Sequence, residues 1–304
     1  MAPDGLWIPL TIAAAFAQTL RNAAQRSLVS TVGTLGATLV RFLFALPFAV
    51  LYTAAVFLVA GERLPEVTRG FVFWVITGGL AQIAATALLL RVMEERNFAI
   101  GVAYSKTELV QVALFAAVFV GDPLNAVTVT AILIATVGVL LLSPLGSQGG
   151  MRGMVQGWTS RSALLGVASG AGFAIAATGY RGAALELDET TYICAAAYTL
   201  LWAQASQVVV LGGYLLWRNA SVLVGLFKQW KASLGAGFAG AAASAGWFTA
   251  MAIEPVAHVR TLGLVELLFS LAFARRFFRE KVARLELIGM GLLAVSLALV
   301  TLAG

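Results

Sequence analysis

The chain has 304 residues, 60% of them hydrophobic and only 11% charged, with a mean hydropathy of +0.91. Soluble domains carry about 25% charged residues, so this composition excludes a water-covered globule and describes an integral membrane protein. The formal charge of +6 does not imply a nucleic-acid partner, because the basic residues lie in short connectors between apolar stretches rather than on one face.

The first apolar span runs from Leu6 to Leu20. Ala15-Phe16-Ala17 has the form of a signal-peptidase site, but no basic n-region precedes it, so the expectation is a retained helix. The second span, Leu35 to Val59, holds Arg41 and a kink expected at Pro47. Phe71 to Val92, Phe98 to Val120 and Ala126 to Leu142 follow. The stretch 145–160 is the one connector rich in Gly and Ser, and it separates an N-terminal half, 1–144, from a C-terminal half, 161–304. Beyond it come Ala163 to Ala184, Tyr192 to Leu216, Leu234 to Ile253, Thr261 to Phe278 and Leu285 to Leu302. At about 20 residues per crossing, the expectation is an all-α membrane protein of ten transmembrane helices, five in each half. The single cysteine, Cys194, lies inside a span, so no intrachain disulfide is possible.

Within the fourth span, Lys106 and Glu108 sit several residues in from its start, where ions are costly and are functional suspects by default. Tyr104, Glu108 and Gln111 share one helix face by their spacing of four and seven, and Lys106 points elsewhere. The bland alternative is a lysine that snorkels to the interface beside a paired structural acid. A shift of 158 positions aligns the third to fifth spans with the eighth to tenth without a gap. Ala87 then falls on Ala245, Met93 on Met251, Ala99 on Ala257, Phe115 on Phe273 and Phe119 on Phe277. Such apolar matches are cheap in this composition. The informative ones are Glu108 on Glu266 and Asp122 on Glu280. Because five is odd, a second copy enters the membrane from the opposite side, giving two inverted repeats around a central cavity near the midplane.

Lys and Arg counted by side give four (Arg63, Arg69, Arg181, Arg260) with the termini against fourteen opposite, Arg21 and Arg26 among the latter. The positive-inside rule then puts both termini outside the cytoplasm. Trp7, Trp158, Trp217 and Trp230 fall at span ends, as an aromatic belt does. Gly166 and Gly170, and the stripe Ala236, Gly240, Ser244, have the spacing of close helix packing, which is the favoured reading over a cavity lining. Gln82 and Trp247 are a polar and a large group among small residues, where either packing or a cavity explains them.

Taken together, the ten short helices, the acid in each half's fourth helix and the acidic turns at Gly121-Asp122 and Arg279-Glu280 resemble the drug/metabolite transporter superfamily, EamA type. The similarity extends to its aromatic amino acid exporter branch. The resemblance spans Leu6 to Leu302 but rests on short motifs. It implies a multi-pass protein of a bacterial-type inner membrane that passes small metabolites by alternating access, with membrane lipids around it and no cofactor. Carried onto this chain it places Gln18, Gln82, Tyr104, Glu108, Gln111, Phe173, Ser244, Trp247 and Glu266 near the cavity. Small multidrug relatives carry an acid in their first helix, where this chain has Gln18 and Arg21, which argues against simple cation/proton antiport. Intramembrane charges of both signs, Lys106 and Arg41 against Glu108 and Glu266, suit a zwitterion, so the expected substrate is a neutral or aromatic amino acid. The runner-up is a proton-coupled exporter of cationic drugs. An intramembrane enzyme is disfavoured because no two intramembrane acids share a helix, and His258, the one histidine, lies beside a loop proline.

Overall fold

The computed structural model describes residues 5–108, 110–111, 126–142, 159–187, 190–253, 259 and 262–303. The expectations for 112–120, for Asp122, for nearly all of the linker 145–160 and for His258 lie outside these residues. Among the described residues every regular element is a helix. In hydrocarbon the backbone must bond within its own segment, and a helix does this without a partner strand. Four helical stretches are long and apolar enough to cross a membrane: Trp7–Ala60, Arg69–Glu95, Arg161–Leu185 and Ile193–Lys228.

Helix α1, Trp7–Leu43, is interrupted at Gly33, whose φ of 71° and ψ of 169° belong to a region open essentially to glycine alone. Gln25 Nε2 donates to the carbonyl of Ala37 at 2.9 Å. An unbroken helix would hold those residues about 18 Å apart. The chain therefore reverses at Gly33, and the arms 7–32 and 34–43 lie side by side. The second arm breaks at residues 44–45 and resumes as α2, Leu46–Ala60, with Pro47 in its first turn. There the missing proline N–H removes no helical bond, so the expected kink is an interruption just before Pro47.

Arg21 requires a correction. The span expected to end at Leu20 continues through Arg21, which is not in a connector but only 5% exposed, with Asn22 and Gln25 also buried. Burial is tolerable because the polar groups are satisfied inside the protein. Arg21 Nη2 donates to Asn22 Oδ1 at 2.9 Å, and the arginine stem passes over Gly240, where a Cβ would lie 3.1 Å from Arg21 Cδ. Without Arg21 the charge count becomes four against thirteen, of the same sign.

By packing, the chain forms two compact units: Met1–Ala84 with Ile175–Val259, and Ala85–Ala174 with Arg260–Gly304. Each draws on both sides of the linker, so the packing cuts across the division of the sequence into halves. In the first unit α9, Trp230–Ile253, lies along α1, with Gly246 against Ala14 and Gly240 against Arg21, a pairing that runs antiparallel. α7, Tyr192–Gln207, leads through a π turn, Val208–Gly212, into α8, Gly213–Lys228. Thr53 of α2 donates to the Ala197 carbonyl of α7 at 3.0 Å. Phe57, Phe71, Tyr198 and Trp202 cluster beside that bond, all pairs edge to face except the tilted Phe71–Tyr198.

In the second unit α5, Ala126–Leu142, packs on α11, Arg284–Ala303. A Cβ on Gly138 would sit 2.9 Å from the Gly289 carbonyl, and Ser296 Oγ donates to the Ala131 carbonyl at 2.6 Å. As one index rises the other falls, so the two helices run antiparallel. Arg96 closes one end of the pair, donating to Glu286 at 2.7 Å and to the last carbonyl of α5.

Candidate functional site: an ion pair at two helix breaks

Two helices of the second unit begin or end inside apolar sequence. α4, Phe98–Ser105, starts at Asn97, whose Oδ1 accepts from the Ile100 amide at 2.8 Å. It stops at Lys106, whose own amide bonds back only three residues, to Ala103. The chain is helical again at Thr107 and Glu108. α10, Val265–Arg276, follows a turn at residues 263–264, with Glu266 in its first turn and the Glu266 amide bonded to the Gly263 carbonyl, again three residues back. Lys106 and Leu264 occupy aligned positions under the shift of 158, and their backbones match, at φ −73°, ψ −12° and φ −61°, ψ −15°. Each break comes two residues before the aligned acid.

Lys106 Nζ donates to Glu266 Oε2 across these breaks. The Glu266 side chain is 1% exposed and that of Lys106 15%. Two isolated ions at this burial would each be prohibitive, and pairing is what makes them tolerable. The helix ends add to this, since Lys106 lies at the carbonyl end of α4 and Glu266 at the amide end of α10, each the favourable pole for its charge. Lys106 thus faces α10, while Tyr104 and Gln111, on the other side of the segment, face α6, Arg161–Leu185. Gln111 Nε2 donates to the Thr107 hydroxyl at 3.0 Å and to the Val167 carbonyl at 3.1 Å. The close approach is made by Gly166 and Gly170: a Cβ would fall 2.4 Å from the Tyr104 ring and 2.2 Å from the Thr107 hydroxyl. The GxxxG of α6 is a packing face.

Among the other sequence-selected residues, Glu108 and Phe173 are half-buried in this unit, and Gln18, Gln82, Ser244 and Trp247 are half-buried in the first. The Ser244 hydroxyl bonds within its own helix, to Gly240. Gln82, near the middle of α3, Arg69–Glu95, is bonded to two side chains that sequence reasoning missed. Tyr180 Oη donates to Gln82 Oε1 at 3.0 Å, and Gln207 Nε2 donates to the same oxygen at 2.7 Å. Gln207 is 1% exposed, and its Oε1, like that of Gln204 one turn earlier, is buried without a hydrogen-bond partner. A polar residue in mid-span was the available signal for Gln207, the same rule that selected Gln82.

No family model matches the chain, and no curated protein does. Among solved structures, one described only as "Crystal structure of protein" is similar with a TM-score of 0.53 and 18% identity, covering 97% of this chain and 99% of that one. At that identity the likeness is one of fold over nearly the whole length of both chains.

Proposed function

We propose that the chain is a multi-pass transporter of small zwitterionic metabolites, neutral and aromatic amino acids first, working by alternating access at a site that contains Lys106 and Glu266. The observation that carries this reading is the buried ion pair between Lys106 of the N-terminal half and Glu266 of the C-terminal half. Without substrate the pair is electroneutral. An amino acid that gives its carboxylate to Lys106 and its ammonium to Glu266 keeps it so. A lone cation or a lone carboxylate would bring an uncompensated charge into a low-dielectric site, which disfavours the cationic-drug alternative. Phe173 and Gln111 belong to the same compact unit, with Gln111 turned toward α6.

The same reading holds ten crossings in two inverted repeats, and two observations support it. The aligned turns before Glu108 and Glu266 fall where transporters with discontinuous helices build an ion site. In addition, Gly138 aligns with Ser296 and Ala131 with Gly289, so the two contacts between α5 and α11 exchange under the shift of 158, as contacts across a two-fold axis do. Both features fit the resemblance to the drug/metabolite transporters.

Reconstitution into liposomes tests the proposal. Phenylalanine-loaded vesicles are expected to accumulate labelled phenylalanine by exchange, and Lys106→Gln and Glu266→Gln each to lower the rate at low substrate by at least about tenfold, the effect of losing one charged hydrogen bond. Absence of amino-acid exchange, or exchange unchanged in both variants, refutes it. Uptake of organic cations that depends steeply on an imposed proton gradient would establish the runner-up instead.

A further inference from the structure

The segment from Trp217 to Lys231 lies outside the site above and combines two properties that neither water nor hydrocarbon accommodates. α8 breaks at Asn219, whose φ of −162° and ψ of 77° are extended, and the Ser221 hydroxyl donates to Asn219 Oδ1 at 2.5 Å. The arm that follows, 220–228, lies against the α1 reversal. Val222 approaches Gly36 so closely that a Cβ there would be 2.8 Å away, Gly225 sits over Val32, and Leu226 is fully buried. Its other side is left outward, with Val224 56% and Phe227 60% exposed, and the flanking Trp217, before the break, and Trp230, at the start of α9, are 79% and 51% exposed. A water-facing helix does not present such a stripe.

The cations are placed with the same regularity. Arg218, Lys228 and Lys231 are exposed, with the Arg218 guanidinium 5.8 Å from the Trp217 ring and Lys231 Nζ 5.8 Å from the Trp230 ring. No Asp or Glu occurs between Thr190 and Ile253. The hydrocarbon core does not take three cations, whereas the head-group layer takes aromatic rings and cations together.

We propose that Trp217–Lys231 is a docking surface for anionic phospholipid, with Val224, Phe227 and the two tryptophans entering the acyl boundary and Arg218, Lys228 and Lys231 offering their cations to head-group phosphodiesters. Charge complementarity selects this occupant: three basic groups with no acid in their stretch of chain match an anionic leaflet and have no preference for a zwitterionic one. The test uses the full-length protein in neutral detergent, titrated with phosphatidylglycerol or with phosphatidylcholine and read by retained lipid in native mass spectrometry and by thermal unfolding. Phosphatidylglycerol is expected to be retained in preference and to raise the unfolding temperature more. Each of Arg218→Gln, Lys228→Gln and Lys231→Gln is expected to lower its affinity about fivefold, with phosphatidylcholine unaffected. All three residues are exposed, so each single variant is expected to fold, and any one of them suffices for the test. Equal retention of the two lipids, an unchanged preference in the variants, or displacement by inorganic phosphate at matched concentration overturns the proposal. None of these readouts depends on transport.

Discussion

Removing one member of the Lys106–Glu266 pair leaves the other charge buried alone. Glu266→Gln and Lys106→Met are each expected to destabilise the fold by about 3–5 kcal/mol, and the double replacement by methionine to recover most of that while still failing to transport. Thermal unfolding in detergent checks this, and single variants as stable as the double one would contradict it. A second residue-scale expectation runs against intuition. Gln204→Leu removes a buried oxygen that has no partner and is expected to stabilise by about 1 kcal/mol, seen as a raised unfolding temperature. That Lys106 and Glu266 would need partners was legible in the sequence, because ions in apolar spans are expensive whatever surrounds them. Which acid Lys106 takes was not: Glu108 is two residues away and Glu266 is 160, and the lysine bonds to the distant one, a tertiary contact that spacing along the chain does not contain.

At the scale of the helix, glycines separate two kinds of constraint. Gly33 has nothing within 4 Å of a would-be Cβ, yet its φ of 71° makes Gly33→Ala cost about 1–3 kcal/mol through backbone strain alone. Gly170→Ala is expected to cost about 1–3 kcal/mol by overpacking Thr107, and to reduce transport as well because Thr107 sits between Lys106 and Glu108. Gly213 has open space and an ordinary helical φ of −59°, so Gly213→Ala is the control, expected to be neutral or to stabilise by up to about 1 kcal/mol. Parallel unfolding measurements on the three variants decide whether the glycines are ranked correctly. The hydrophobic runs placed the helices, but their interruptions were less visible. Pro47 announced a break near residues 44–45, whereas Gly33 is one glycine among 31 and the stop at Lys106 has no Gly or Pro to mark it. The long first arm was not visible because hydropathy ends the span before Arg21, whereas Arg21 is buried against Gly240 and Gln25 against Ala37, neighbours that one-dimensional hydropathy does not contain.

For the whole molecule, the imbalance of basic residues predicts where the ends lie. A reporter fused after Gly304 and active only outside the cytoplasm is expected to be active, and a cytoplasm-only reporter silent. The reverse would remove the inverted topology from the account. Long apolar helices followed from composition, since 11% charged residues cannot cover a water-facing surface, and four described stretches are long and apolar enough to cross a membrane. The compact units did not follow, because α3 and α6 are each shared between both units and no sequence boundary marks their division at Ala84 and Ala174. The claim that matters most is that the buried pair receives both charges of one zwitterion. Phenylalanine, phenethylamine and 3-phenylpropionate share a side chain and differ only in which charge they carry, so their effect on thermal unfolding isolates that claim. Phenylalanine is expected to protect the wild type at concentrations at least about tenfold below the other two, and to lose that advantage in Glu266→Gln. Protection by phenethylamine equal to or greater than that by phenylalanine would contradict it.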